Sequence, residues 1–238
     1  MARRAAPVLA VLGALAALLL LAPAFPELQP PQRAALVAAV PPMALLGALT
    51  YLLAPLTRIP AALAGLAGVG LVATAATAAV DAHGGGTLPE ALLAIALGLL
   101  FARVFDLGAF VIGLPLVIGA VDLFTTLSGD AVKTWPMPVS GGDPLVLELP
   151  SWSAQTGAAE ISVATVLFLA ALQGYAVRER LRPAGTAVGM TVGLILAYLL
   201  EWRTERAMPF TAFVAGGFLV ASSDRLPTWL RAGGIERG

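Results

Sequence analysis

The sequence predicts an all-α fold, a polytopic bundle of about eight membrane-spanning helices, and three observations carry that expectation. First, hydrophobic residues make up 59% of the 238-residue chain and charged residues only 12%, with mean hydropathy +0.90; a water-soluble domain carries roughly 25% charged residues. That leaves too little polar surface to coat a globule in water. Second, the apolar residues fall in runs near the roughly 20 residues needed to cross a bilayer. Third, the runs are continuous, where a membrane barrel needs short alternating strands. Backbone groups inside hydrocarbon must then pair within each segment, which makes each run a helix.

In chain order the spans are 5–24, 34–54, 59–80, 89–105, 108–127, 157–177, 183–200 and 207–222. The first follows Arg3 and Arg4 and has Ala22-Pro23-Ala24 at its end, as a signal peptide has. Its length and the many spans after it favour an uncleaved helix. Pro41-Pro42 in the second run and Pro115 in the fifth are expected to kink their helices. The fourth and fifth are separated only by Asp106 and Leu107. In the seventh, Gly185, Gly189 and Gly193 recur every fourth residue and so share one face, open to close approach by another helix. The pairs Ala64/Gly68 and Ala212/Gly216 are shorter versions of the same spacing.

Charge placement orients the bundle. With the amino terminus inside, Arg3, Arg4, Arg58, Arg103, Arg178, Arg180, Arg182, Arg225, Arg231 and Arg237 lie inside, and Arg33, Lys133, Arg203 and Arg206 lie outside. That asymmetry follows the positive-inside rule and puts both termini in the cytoplasm. Of the 14 basic residues only Lys133 is lysine, and alanine is abundant, as in GC-rich bacterial genomes. The expected location is therefore the inner membrane of a bacterium. The Arg178–Arg182 cluster is read as a topology determinant near lipid headgroups. One long connection, 128–156, lies outside between the fifth and sixth spans. Trp135 and Trp152 are expected at headgroup level, and Pro144–Pro150 reads as a short extended piece. No repeat or linker divides the chain, so one domain is expected.

Several chemistries drop out. Net charge is zero, which offers no basic footprint for nucleic acid. There is no cysteine, hence no disulfide, thiol nucleophile or Cys-ligated metal. The one histidine, His83, opens a His-Gly-Gly-Gly loop like the oxyanion loop of lipases, yet no Gly-x-Ser-x-Gly accompanies it. There is no HExxH and no P-loop. No cofactor or metal is expected.

What remains is acid chemistry. A charge at mid-bilayer is costly and tends to face a cavity or a partner. Asp122 stands five residues before the outer end of the fifth span and Glu160 three residues into the sixth. At 1.5 Å per residue these are roughly 7–8 Å and 4–5 Å deep, on consecutive antiparallel helices. Two carboxyls in one wet pocket can share a proton and serve as base and acid for water attack on an amide. The plainer reading of Glu160 is a first-turn residue favoured by its helix dipole, and of Asp122 a buried polar contact.

The order of these features resembles presenilins and signal peptide peptidases. Val121-Asp122 is similar to their Tyr-Asp motif, Gly157-Ala158-Ala159-Glu160 to their Gly-x-Gly-Asp, and Ala207-Met208-Pro209-Phe210 to the second half of their Pro-Ala-Leu-Pro. The resemblance covers residues 108–222 and implies a presenilin-like topology lacking one amino-terminal span. It implies an intramembrane aspartyl-type protease with Asp122 and Glu160 as catalytic carboxylates and Ala207, Met208 and Pro209 bordering the substrate cleft. Its partners would be the lipid bilayer and transmembrane helices of other proteins. Val121, Ala159, Glu160 and Arg206 depart from the family's Tyr, Gly, Asp and Pro. Those departures motivate an alternative, an inactive binding or scaffold protein of the same fold. A further alternative is a small proton-coupled transporter using Asp122.

Overall fold

The computed structural model describes residues 2–26, 28–29, 31–79, 87–105, 107–129, 145–152 and 159–233. His83, Trp135 and most of the long connection lie outside the described residues. The helices are α1 (Ala2–Leu21), α2 (Pro31–Leu53), α3 (Pro60–Ala79), α4 (Thr87–Val104), α5 (Gly108–Ser128), α6 (Val163–Arg178), α7 (Pro183–Thr204), α8 (Phe210–Ser222) and α9 (Leu226–Arg231). Short 3-10 turns extend α1 over Ala22–Ala24 and α2 over Ala54–Arg58. The chain is a helical bundle, as the apolar runs predict. Among the described residues six helices are long and apolar enough to cross a membrane; α6 and α8, with 16 and 13 residues, are shorter. Helices α2 and α5 run unbroken through Pro41, Pro42 and Pro115.

Sequence and structure differ most at the start of the sixth run. Residues 157–177 were expected to be one helix with Glu160 in its first turn. Instead β2 (Glu160–Ser162) pairs antiparallel with β1 (Val146–Glu148), and α6 begins only at Val163. The physical reason lies in two local preferences. Ser162 takes an extended backbone and its hydroxyl accepts from the Ala164 amide, a helix N-cap that fixes where the helix starts. The strand's alternation then buries Ile161 against Leu147 and Leu149 while Glu160 and Ser162 face the other side. The short extended piece expected within Pro144–Pro150 is β1. A buried Thr87 at the start of α4 anchors it, its hydroxyl donating to the Glu148 carbonyl at 2.8 Å. Thr87→Val removes that bond, and a thermal melt in detergent should show a loss of about 1 kcal/mol, the usual net worth of one buried hydrogen bond.

Helix α6 is the axis of the bundle, buried almost continuously from Thr165 to Ala176. It packs on α4, where Gly98 faces the Leu167 carbonyl and Gly174 faces Ala102. Buried tyrosine and glutamine side chains in this core are paired with backbone carbonyls. The Tyr175 hydroxyl donates to the Phe105 carbonyl at 2.9 Å and the Gln173 amide to the Pro183 carbonyl at 2.8 Å. Across the bundle the Tyr198 hydroxyl donates to the Ala35 carbonyl at 3.1 Å. The glycine face of α7 packs internally. Gly189 and Gly193 lie against the backbone of α8 at Gly217 and Phe213, while Gly185 is exposed. Outward faces carry Val69, Val72, Val117, Phe124, Leu127 and Val220, all exposed. Such a surface is stable in lipid, and the chain is a multi-pass membrane protein. Trp152 donates from its indole to the Pro26 carbonyl at 2.9 Å and stacks obliquely on Phe25, tying the segment after β1 to the α1–α2 connection.

Candidate functional site

The end of the bundle formed by the last turns of α5 and α7, the first turns of α6 and α8 and the β-hairpin encloses a cavity of about 500 Å³. Asp122, Glu160 and Glu201 all line it, together with Thr165, Thr211, Ala207 and Met208. Among the described residues no basic side chain does.

Each acid is positioned by a different element. Asp122 projects from α5, and its Oδ2 accepts from the backbone amides of Thr211 at 2.7 Å and Ala212 at 3.1 Å. These are amides that the first turn of a helix leaves without an internal partner. The N-cap residue of α8 is Pro209, whose side chain cannot accept a hydrogen bond. Asp122 therefore caps α8 from another helix, doing what an Asp at the N-cap itself would do. Beside it the hydroxyls of Thr165 and Thr211 lie 3.1 Å apart, joining α6 to α8.

Glu160 is half-buried on β2, opposite Glu148 in register. It reaches the cavity because strand alternation puts it on the same face as Val146 and Ser162, which also line the space. Its place on a strand, two residues before the Ser162 N-cap of α6, corrects the first-turn expectation. Asp122 and Glu160 both border the one cavity.

Of the three residues read as bordering a cleft, Ala207 and Met208 line the acidic cavity. Pro209 does not. It is buried and lines a separate apolar groove of about 460 Å³ with Leu123, Gly193 and Ala212.

Glu201 was not singled out from the sequence. It lies in the last turn of α7, is 1% exposed, and its Oε2 accepts from the Met208 amide at 3.1 Å. That bond folds the 205–209 segment back over the cavity. A signal was present: an acid in the last turn of a helix opposes the helix dipole and calls for a compensating donor. The run of charges after it reads as a water-facing loop and masks that signal. The three acids surround the space without converging, since among the described residues no three His, Asp or Glu groups have the arrangement of a metal site.

No protein-family model, curated protein or solved structure matches the chain.

Proposed function

We propose that this protein is an intramembrane peptidase of aspartyl type, divergent from presenilins and signal peptide peptidases, that hydrolyses a peptide bond in a substrate transmembrane helix. Water attacks the peptide carbonyl carbon. One of the pair Asp122 and Glu160 takes a proton from that water as the other gives one to the carbonyl oxygen. The resulting gem-diol collapses with proton transfer to the amide nitrogen, and the C–N bond breaks. Oδ2 of Asp122 is committed to α8, so Oδ1 is the oxygen available for this exchange. The observation that carries the reading is the meeting of Asp122, Glu160 and the Ala207-Met208 segment, from three distant parts of the chain, around one cavity. With the positive-inside orientation, the cavity faces the outer leaflet of a bacterial inner membrane and both termini are cytoplasmic.

The test is cleavage of a reporter transmembrane segment by the reconstituted full chain. Glu160→Gln keeps size and polarity but cannot exchange a proton in this way, and a loss of about 100-fold or more is expected. Undiminished cleavage by Glu160→Gln would remove Glu160 from the pair.

A second reading rests on a specific observation. Asp122 already has a structural task as the cap of α8, which suits a binding or scaffold protein of the same shape. The two readings part company at Asp122 itself.

A further inference from the structure

The opposite end of the bundle holds a second polar cavity, of about 300 Å³, whose lining includes Arg58, Arg103, Arg178 and Arg180. They come from four places: the 3-10 turn after α2, the last turns of α4 and α6, and the turn between α6 and α7. No acidic side chain among the described residues lines the space. Its volume is at the small end of the roughly 300–1,000 Å³ that small-molecule sites occupy.

Two details go beyond what membrane orientation requires of these arginines. Arg178 is held in place: its Nη1 donates to the Ala102 carbonyl at 2.7 Å, its Nε to Glu179 Oε1 at 2.9 Å, and its guanidinium lies 5.0 Å from the centre of the Tyr175 ring. Glu179 is fixed in turn by the Trp229 indole, which donates to its Oε2 at 2.8 Å. Arg180 sits at φ 55°, the left-handed region where glycine is the usual occupant. The main chain alone completes this helix end. The Glu179 amide donates to the Tyr175 carbonyl at 2.8 Å and the Leu181 amide to the Ala176 carbonyl at 2.9 Å. An arginine thus stands where glycine would close the turn without strain, as Arg182 also does at φ 49°, and Arg180 is among the residues that line the cavity.

We propose that this cavity binds a phosphate group through the guanidinium groups of Arg58, Arg103, Arg178 and Arg180. Guanidinium forks match phosphate oxygens two at a time. The phosphate is carried either by an anionic lipid headgroup entering from the bilayer surface or by a small soluble phosphate. The proposal is independent of the peptidase reading.

The test uses the full chain in neutral detergent, titrated in separate arms with short-chain phosphatidylglycerol, with zwitterionic phosphatidylcholine of the same chain length, and with inorganic pyrophosphate. Binding is read by native mass spectrometry and by the shift in melting temperature. One saturable site is expected in the phosphatidylglycerol arm or the pyrophosphate arm, and whichever arm saturates identifies the source. Arg180→Gly keeps the turn and is expected to weaken that binding about tenfold with melting of the unliganded protein undiminished. Arg203→Gln, an exposed arginine at the other end of the bundle, is expected to bind like wild type. Absence of saturable binding in both anionic arms overturns the proposal. So does equal binding by phosphatidylcholine, or an Arg180→Gly protein that binds as tightly as wild type.

Discussion

Asp122→Asn is expected to abolish cleavage of a reporter transmembrane segment while leaving the melting temperature nearly unchanged. Asparagine is as good a helix cap as aspartate, because its carbonyl oxygen can accept from the same two amides. The Thr211 and Ala212 bonds to position 122 therefore survive, and α8 keeps its place. Proton exchange at the reacting water does not survive, and loss of one member of a proton-sharing pair costs about 10²–10⁴ in rate. Asp122→Leu, by contrast, removes cap and chemistry together. It should cost about 1–2 kcal/mol of stability besides all activity. A melt and a cleavage assay on both variants separate the two roles of this residue. Wild-type cleavage by Asp122→Asn would sink the peptidase reading and leave Asp122 as a cap.

A large loss of stability is expected from Gly193→Leu. Even the first carbon of a side chain at Gly193 would run into the carbonyl oxygen of Phe213 on α8. At Gly189 a Cβ would come within 2.6 Å of the Gly217 carbonyl oxygen and 2.8 Å of the Ala221 methyl. Backbone cannot swing aside as a side chain can, so α7 and α8 must separate. Overpacking typically costs 1–3 kcal/mol, and this substitution should reach about 3 kcal/mol or exceed it. The exposed Gly185 is the internal comparison. A Cβ there meets only Arg182 side-chain carbons, the nearest at 3.5 Å, and Gly185→Leu should shift stability by no more than about 0.5 kcal/mol. The effect reaches the acidic cavity because the first turn of α8 holds Asp122. Gly193→Leu should lose cleavage in parallel with its loss of fold, monitored by circular dichroism.

The helical bundle was legible because its cause is local. Continuous apolar runs specify helices in lipid whatever their neighbours are, and the described helix ends fall within a few residues of the run ends except at the sixth. Depth counted along a helix did not place Glu160, which stands on a strand; Asp122 and Glu160 share the lining of one cavity because α5 packs on α8 and the hairpin lies over the first turn of α6. What could not be read was long-range. Pairing of Val146–Glu148 with Glu160–Ser162 depends on which faces the bundle leaves free. Ala158 and Ala159 just before Glu160 have strong helix propensity, which hides the strand that follows. Glu201 looks like the first charge of a loop, and only the fold-back of Met208 reveals it as buried. Asp122 as the cap of α8 is likewise invisible, because its partners lie 89 and 90 residues away.

The brevity of α6 and α8 has a consequence for the solvent. At 1.5 Å per residue, 16 and 13 residues reach only about 24 Å and 20 Å, against a hydrocarbon slab of about 30 Å. Both flank the acidic cavity, and the hairpin that continues α6 has its own backbone pairing and a polar face. α6 is covered by its neighbours, but a bilayer beside the 13-residue α8 would thin to match it. Carboxylates at that end of the bundle would then lie nearer to water than in a leaflet of full thickness.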